Sequence, residues 1–182
     1  WDGEPYGEQG QSLRWARPRD IDPADLPPAD GPLLTAARLP DVYAISGDYA
    51  GDLPDFLRRV ERVAAAGVTL LCLRSPVLGA DAYAALARAV MGVARPAGVE
   101  LLLHGTGAWL PPLAGELGTG LHLPASAVAM LDARPVPAGV WCAASCHDAA
   151  ELAIATQLGC DFAVLSPVAA TASHPDRPAL GW

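Results

Sequence analysis

The sequence predicts an α/β fold in which helices cover a parallel sheet. From Asp41 onward, short apolar runs alternate with alanine-rich amphipathic stretches, the pattern of successive βα units. Apolar residues make up 52% of the 182 residues, which can supply a sizeable core. The six predicted strands lie near Val42–Ser46, Val68–Arg74, Val99–His104, Gly120–Leu123, Val140–Cys146 and Asp161–Ser166.

Five helices are predicted between and after these strands. Pro54 opens the first helix, because proline suits the first helical turn, and Gly67 closes it. The run Trp109–Pro112 predicts at most a brief third helix that starts at the prolines, since proline lacks a backbone N–H. The remaining helices are expected around Tyr83–Met91, at Ala127–Leu131 and at Asp148–Leu158.

The fifth predicted strand ends in polar residues, directly before a helix whose start is capped. Side chains alternate along a strand, so Ser145 and His147 share one face. Asp148, followed three residues later by Glu151, predicts a capping box at the start of the helix that Gly159 ends. A strand end of this kind is a candidate active-site corner.

The opposite face of this strand carries Cys142 and Cys146. Four residues of strand separate them by about 13 Å, beyond the roughly 7 Å that a disulfide allows between Cα atoms. The same distance excludes a shared zinc site. We expect all four cysteines to be free thiols in a reducing compartment.

Composition also limits the class of partner. The net charge is −8 and the basic residues are scattered, so no nucleic-acid-binding face is expected. An acidic surface disfavours anionic membranes, and no apolar run has membrane-spanning length. We expect a cytoplasmic protein.

Several motifs resemble the thiamine phosphate synthase/TenI family. That family's fifth strand ends in Ser-x-His, as in Ser145–His147, and its sixth strand runs into a loop similar to Ser166–His174. Gly120–Leu123 and Leu73–Arg74 match two further strand ends of the family. The resemblance covers Asp41 to Trp182 and implies a (β/α)8 TIM barrel, of which about six βα units are present.

The domain looks most like the version that is fused behind a MutT-type Nudix hydrolase. The resemblance is carried by the segments SCHDAAELA, LSPVAATASHP and LGW. Residues 1–40 resemble the end of a Nudix domain, and within them Ala24–Pro40 is the expected linker. The glutamate-rich metal helix of Nudix enzymes is absent from the sequence. We therefore expect truncation at both ends, with the catalytic Nudix portion and its magnesium belonging upstream of Trp1.

The resemblance implies which chemistry remains. The two family positions for magnesium carboxylates hold Gly105 and Ala127, and the family lysine is replaced by Pro76. We therefore expect neither a metal nor another cofactor in this chain, and not a competent synthase. In the thiazole tautomerases of the family, a base corresponding to His147 moves a proton between carbon and nitrogen, for which imidazole is suited.

The other site candidates are implied to bind the substrate or its phosphate. They are Arg74, His104, His122 and Ser145 at strand ends, with Thr171, Ser173 and His174 in the following loop. The expected ligand is a small phosphorylated thiazole or pyrimidine. Arg74 could instead pair with an acidic neighbour, and His104 and His122 could be hydrogen-bonded spacers.

The alternative function is a non-catalytic ligand-binding or regulatory barrel attached to a Nudix 8-oxo-dGTP diphosphatase. Six strands do not close a barrel, so we also expect open edges at the first and sixth strands and uncovered apolar inner faces.

Overall fold

The computed structural model describes residues 3–170 and 179–181, and it divides the chain into two compact units with their boundary between Pro40 and Asp41. In the first unit, helix α1 spans Gly31–Arg38, within the stretch expected to be a linker. The Arg38 guanidinium donates hydrogen bonds to the carbonyls of Pro18 at 3.1 Å and Ile21 at 2.5 Å. Three 3-10 turns precede α1, at Pro18–Asp20, Pro23–Asp25 and Pro28–Asp30, and no strand occurs among the described residues before Pro40.

The second unit alternates strands with helices. Its strands are β1 (Tyr43–Ile45), β2 (Leu70–Leu73), β3 (Glu100–His104), β4 (Gly120–Leu123), β5 (Cys142–Cys146) and β6 (Phe162–Leu165). Its helices are α2 (Leu53–Ala65), α3 (Ala80–Ala94), α4 (Leu110–Leu117), α5 (Ala125–Val128) and α6 (Ala149–Gln157). All neighbouring strands pair in parallel in the order β1-β2-β3-β4-β5-β6, which confirms the predicted α/β fold.

The sheet curls into a half-barrel. In a flat sheet, β1 and β4 would lie about 14 Å apart, because neighbouring strands are separated by about 4.8 Å. The hydroxyl of Tyr43 on β1 nevertheless lies 2.6 Å from Nδ1 of His122 on β4. The Tyr43 ring also meets the ring of Phe162 on β6 edge to face, with 5.1 Å between centroids. The fold is therefore an incomplete TIM-type barrel whose inner side chains meet across the curl.

This curl corrects the expectation of uncovered inner faces. Leu70, Cys72 and Leu102 point inward and are at most 1% exposed. The outer face of the sheet packs against the helices and forms the main core. Exposure is concentrated at the two edges, where Ile45 of β1 is 49% exposed and Leu165 of β6 is 44% exposed.

Side-chain hydrogen bonds define the start of α6, the helix that follows β5. The Asp148 carboxylate accepts the N–H of Glu151 at 2.8 Å, and the Glu151 carboxylate accepts the N–H of His147 at 2.6 Å. This arrangement confirms the predicted capping box, with the glutamate bond displaced by one residue from the usual N-cap position. Gly159 follows α6 with a φ of +78°, a backbone conformation that favours glycine.

Helix α4 is longer than the sequence suggested. It runs for eight residues and ends before Gly118, which has a φ of +64°. Pro111 and Pro112 lie in its first turn, where the amide hydrogens that proline lacks would have no partner inside the helix. The sequence predicted a brief helix starting at the prolines; the helix begins one residue earlier, at Leu110, and extends over about two turns.

Candidate active site

Three polar side chains meet inside the half-barrel. Tyr43 hydrogen-bonds to Nδ1 of His122 at 2.6 Å, and Nε2 of His122 lies 2.8 Å from Oγ of Ser145. Cys142 and Cys146, on the other face of β5, belong to the core between sheet and helices. Strand alternation therefore divides β5 as predicted, with Ser145 facing inward.

Burial keeps this inner cluster uncharged. His122 is 2% exposed, and loss of hydration lowers its pKa to about 4, with a further lowering from the nearby His104. Burial also raises the pKa of Tyr43 far above its ordinary value and raises the pKa of Cys72 to about 12. At neutral pH the three side chains are a phenol, a neutral imidazole and a hydroxyl, and the Cys72 thiol lies beside the phenol.

His104 lies beside this cluster without joining its hydrogen bonds. Its ring centroid is 5.5 Å from that of His122, and its buried Nδ1 has no hydrogen-bond partner among the described residues. Burial, followed by the positive charge of Arg74, lowers the pKa of His104. The backbone N–H of His104 donates to the hydroxyl of Tyr83 at 2.9 Å, which fixes the end of β3.

Arg74 follows β2 and has an acidic partner. One of its guanidinium nitrogens lies 3.4 Å from Asp48, and both side chains are about half exposed. Ser46 holds the Arg74 backbone, accepting its N–H at 2.9 Å and donating to its carbonyl at 3.1 Å. This ion pair agrees with the alternative interpretation of the sequence, in which Arg74 pairs with an acidic neighbour.

His147 lies just beyond β5, at the carboxyl end of the sheet. Nδ1 of its ring is 2.6 Å from the carbonyl oxygen of Ser166, which follows β6. A carbonyl oxygen only accepts, so Nδ1 carries the hydrogen and Nε2 of the neutral ring carries the lone pair. The ring lines a cavity of about 360 Å³, between α5 and α6, together with Glu151 and Ser126.

The predicted site residues form two groups. His122 and Ser145 are hydrogen-bonded inside the half-barrel, whereas His147 lines the cavity between α5 and α6. Arg74 and Ser145 do not line that cavity. The loop candidates Thr171, Ser173 and His174 lie outside the described residues.

Sequence reasoning missed Tyr43 and Ser166. Tyr43 touches His122 across 79 positions of sequence, a contact that spacing along the chain does not reveal. The available signal was strand alternation, which turns an aromatic hydroxyl in the first strand to the same face as His122. Ser166 contributes its backbone carbonyl, which residue type does not indicate.

The magnesium of the synthases does not fit this site. Gly105 follows β3 and Ala127 lies in α5, so neither family position offers a carboxylate oxygen, the ligand that magnesium prefers. Among the described residues, no three histidine, cysteine, aspartate or glutamate side chains lie close enough to share a metal ion.

A membrane-spanning helix needs about 20 apolar residues. The longest helix in the described part of the chain, α3, has 15 residues, so none of the described helices could cross a bilayer.

Comparison with known proteins gives the family of the second unit. A scan against protein families matches residues 42–182 to TMP-TENI, thiamine monophosphate synthase. A search of curated proteins found no match. The family match covers more than half of the sequence and contains every predicted site residue. The chain therefore belongs to the thiamine monophosphate synthase (TMP-TENI) family.

Proposed function

We propose that this family domain binds a phosphorylated thiazole and moves a proton between carbon and nitrogen of the ring, with His147 as the base. The family supports a role in thiamine metabolism. The lack of carboxylates at Gly105 and Ala127 favours a reaction without magnesium over synthesis of thiamine phosphate.

The orientation of His147 carries the proposal. Its Nδ1–H donates to the Ser166 carbonyl at 2.6 Å, which fixes the orientation of the ring and therefore of its second nitrogen, Nε2. A general base needs an oriented lone pair within reach of the proton that it removes. The ring also borders a cavity of about 360 Å³, within the range of about 300–1,000 Å³ typical of small-molecule sites.

Ser145 is the proposed contact for the phosphate, assisted by Thr171 and Ser173. Two residues of extended chain separate Ser145 from His147 by about 7 Å, so a phosphorylated ring is long enough to reach both. We also propose a cytoplasmic location, because all four cysteines are free thiols, as is usual in a reducing compartment.

The alternative proposal is a barrel that binds the ligand without catalysis. The observation that favours it is the separation of Arg74 and Ser145 from the cavity that His147 lines. In this alternative the domain senses a ligand for an attached Nudix hydrolase, since residues 1–40 resemble the end of a Nudix domain. Binding without turnover distinguishes it from the tautomerase.

The test compares ligand binding with isomerisation of a thiazole phosphate by the parent and by His147→Ala. We expect the variant to lose about 10²- to 10⁴-fold in rate, the usual contribution of a positioned general base. The fold should be retained, because the bond from residue 147 to Glu151 uses the backbone N–H.

His104→Ala and His122→Gln complete the comparison, since both histidines lie at strand ends of the same sheet. We expect His104→Ala to retain most of the isomerisation rate. If all three variants match the parent, or if the parent binds the ligand without isomerising it, the tautomerase proposal fails. Binding without turnover would support the non-catalytic alternative.

A further inference from the structure

A chain of two hydrogen bonds crosses the interior of the half-barrel. It joins Tyr43 on β1 to His122 on β4 and His122 to Ser145 on β5, at 2.6 Å and 2.8 Å. Tyr43 also packs edge to face on Phe162, which holds its ring in place. Of these three hydrogen-bonded residues, Ser145 lies near the carboxyl end of its strand. It is partly exposed there, and it is the proposed ligand contact.

The two hydrogen bonds through His122 can run in either of two directions, because a neutral imidazole has one N–H and one lone pair. In the first, Tyr43 donates to Nδ1 of His122, and the Nε2–H of His122 donates to Ser145. In the second, every hydrogen is reversed, and Ser145 donates its hydroxyl hydrogen to His122. Only the first direction leaves the hydroxyl hydrogen of Ser145 available to a ligand.

The surroundings of Tyr43 favour the first direction. In the second, the phenol hydrogen would need another acceptor, and the neighbouring group is the thiol of Cys72, whose sulfur accepts hydrogen bonds only weakly. A phenol is also a stronger donor than the hydroxyl of serine. The most favourable pairing is therefore the Tyr43 hydroxyl with the imidazole lone pair at Nδ1.

We infer that Tyr43 is a positioning residue that acts through His122 to present the hydroxyl of Ser145 as a hydrogen-bond donor to an anionic phosphate oxygen. The inference rests on the proposed function for the identity of the ligand, a phosphorylated thiazole. The direction of the hydrogen bonds can be tested without any ligand. A serine activated as a nucleophile would need the opposite direction, with His122 as its base.

The first experiment assigns the hydrogen on His122 by nitrogen-15 NMR of the imidazole. We expect Nε2 to be protonated and Nδ1 to be the acceptor in the parent protein. Tyr43→Phe keeps both ring contacts and removes only the hydroxyl, so the signals of His122 should shift toward the other tautomer. A parent protein with the hydrogen on Nδ1 would overturn the inference, whether or not the variant folds.

The second experiment measures binding of a thiazole phosphate and of the matching unphosphorylated thiazole alcohol. Tyr43→Phe should weaken binding of the phosphate by about 10- to 100-fold, as expected for one hydrogen bond to a charged group. Binding of the alcohol should change little. Ser145→Ala should have the same effect, and adding Tyr43→Phe to Ser145→Ala should cause no further loss.

The control is Tyr49→Phe, which removes a phenol hydroxyl from a ring packed on Phe56, away from His122. It should bind both ligands as the parent does. Additive losses in the double variant would show that Tyr43 does not act through Ser145, and would overturn the inference. If the parent binds neither ligand, the proposed function fails, and the NMR experiment alone decides the direction of the hydrogen bonds.

Discussion

Burial determines the charge of the two inner histidines. His122 has hydrogen-bond partners on both ring nitrogens, and among the described residues neither these partners nor the charged groups that shift its pKa are acidic. The groups facing it are the hydroxyls of Tyr43 and Ser145 and the imidazole of His104. Desolvation therefore lowers the pKa of His122 to about 4.

Acid should consequently destabilise the fold as the pH falls from about 6.5 to about 4. A histidine whose pKa falls from 6.5 when unfolded to about 4 when folded binds protons more readily in the unfolded state. The free energy of unfolding therefore decreases as the pH drops through this range, by on the order of 3 kcal/mol. Urea unfolding at a series of pH values measures the decrease.

The matched variant is His122→Gln, whose amide can still bridge Tyr43 and Ser145 but does not titrate. Its free energy of unfolding should depend less on pH over the same range. A remaining decrease is expected from His104, whose pKa is also lowered by burial. An unchanged pH dependence in the variant would show that His122 is not the titrating group.

Tyr43 and His147 illustrate what residue patterns reveal and what they miss. His147 was predicted because a strand end, a capping box and a family motif coincide at one place in the sequence. The partner of its ring, the Ser166 carbonyl, depends on how β5 and β6 pair. Tyr43 gains its role only when the sheet curls, and the sequence pattern indicates parallel strands without indicating their curvature.

Helix α3 is tied to the sheet by one buried hydroxyl. Tyr83 donates to the carbonyl of Leu73 at 2.6 Å and accepts the N–H of His104 at 2.9 Å, so it joins the ends of β2 and β3. Both backbone groups lie at the edge of the sheet that carries the candidate site. Tyr83 therefore stabilises the carboxyl ends of these two strands.

Tyr83→Phe should lower the free energy of unfolding by about 1–3 kcal/mol, because it leaves a buried N–H and a buried carbonyl without their partner. Thermal or urea unfolding measures the loss. Tyr49→Phe is the control, since the ring of Tyr49 packs on Phe56 and is only partly buried. Equal losses in the two variants would contradict a specific role for the Tyr83 hydroxyl.

Cys142, the first residue of β5, lies close to Cys160, which precedes β6 by two residues. The sulfurs of Cys142 and Cys160 are 4.0 Å apart, and both residues are free thiols. The hydrogen bond from Cys142, followed by the charge of Arg134, lowers the pKa of Cys160. Sequence reasoning excluded a bond between Cys142 and Cys146 and expected all four cysteines to be free, but it did not predict that Cys160 lies next to Cys142.

Diamide, a thiol oxidant, should link Cys142 to Cys160. The two thiols would lose two hydrogens to the oxidant, and side-chain rotation would bring the sulfurs to the bonding distance of about 2.05 Å. Mass spectrometry after alkylation of the remaining thiols should find Cys72 and Cys146 alkylated. Cys160→Ser should abolish the link and Cys146→Ser should not; a link that persists in Cys160→Ser would contradict the pairing.

The elements themselves were largely predictable. Short apolar runs marked every strand, and the bounds predicted for β4 agree with those of the structure. Helix α4 was predicted as a brief helix starting at its prolines and begins one residue before them, whereas α1 was missed inside a proline-rich stretch expected to be a linker. Short proline-rich helices are harder to recognise, because local composition is a weaker indicator of secondary structure than hydrophobic periodicity.

The curl of the sheet connects the fold to the candidate site. It buries the inner faces of β2 and β3, and it brings Tyr43 of β1 into contact with His122 of β4 and Phe162 of β6. The carboxyl ends of the parallel strands then surround one mouth, where barrel enzymes of this type carry their catalytic residues. Ser145 faces the interior of the half-barrel near the end of β5, and His147 follows the same strand and lines the cavity between α5 and α6.

Deuterium incorporation tests the role of His147 most directly. A thiazole phosphate incubated with the parent protein in deuterium oxide should exchange the carbon-bound hydrogen that the base removes, which NMR detects. His147→Ala should slow this exchange by about 10²- to 10⁴-fold while the fold is retained. Equal exchange by parent and variant, or no exchange by a parent that binds the ligand, would contradict the assignment of His147 as the base.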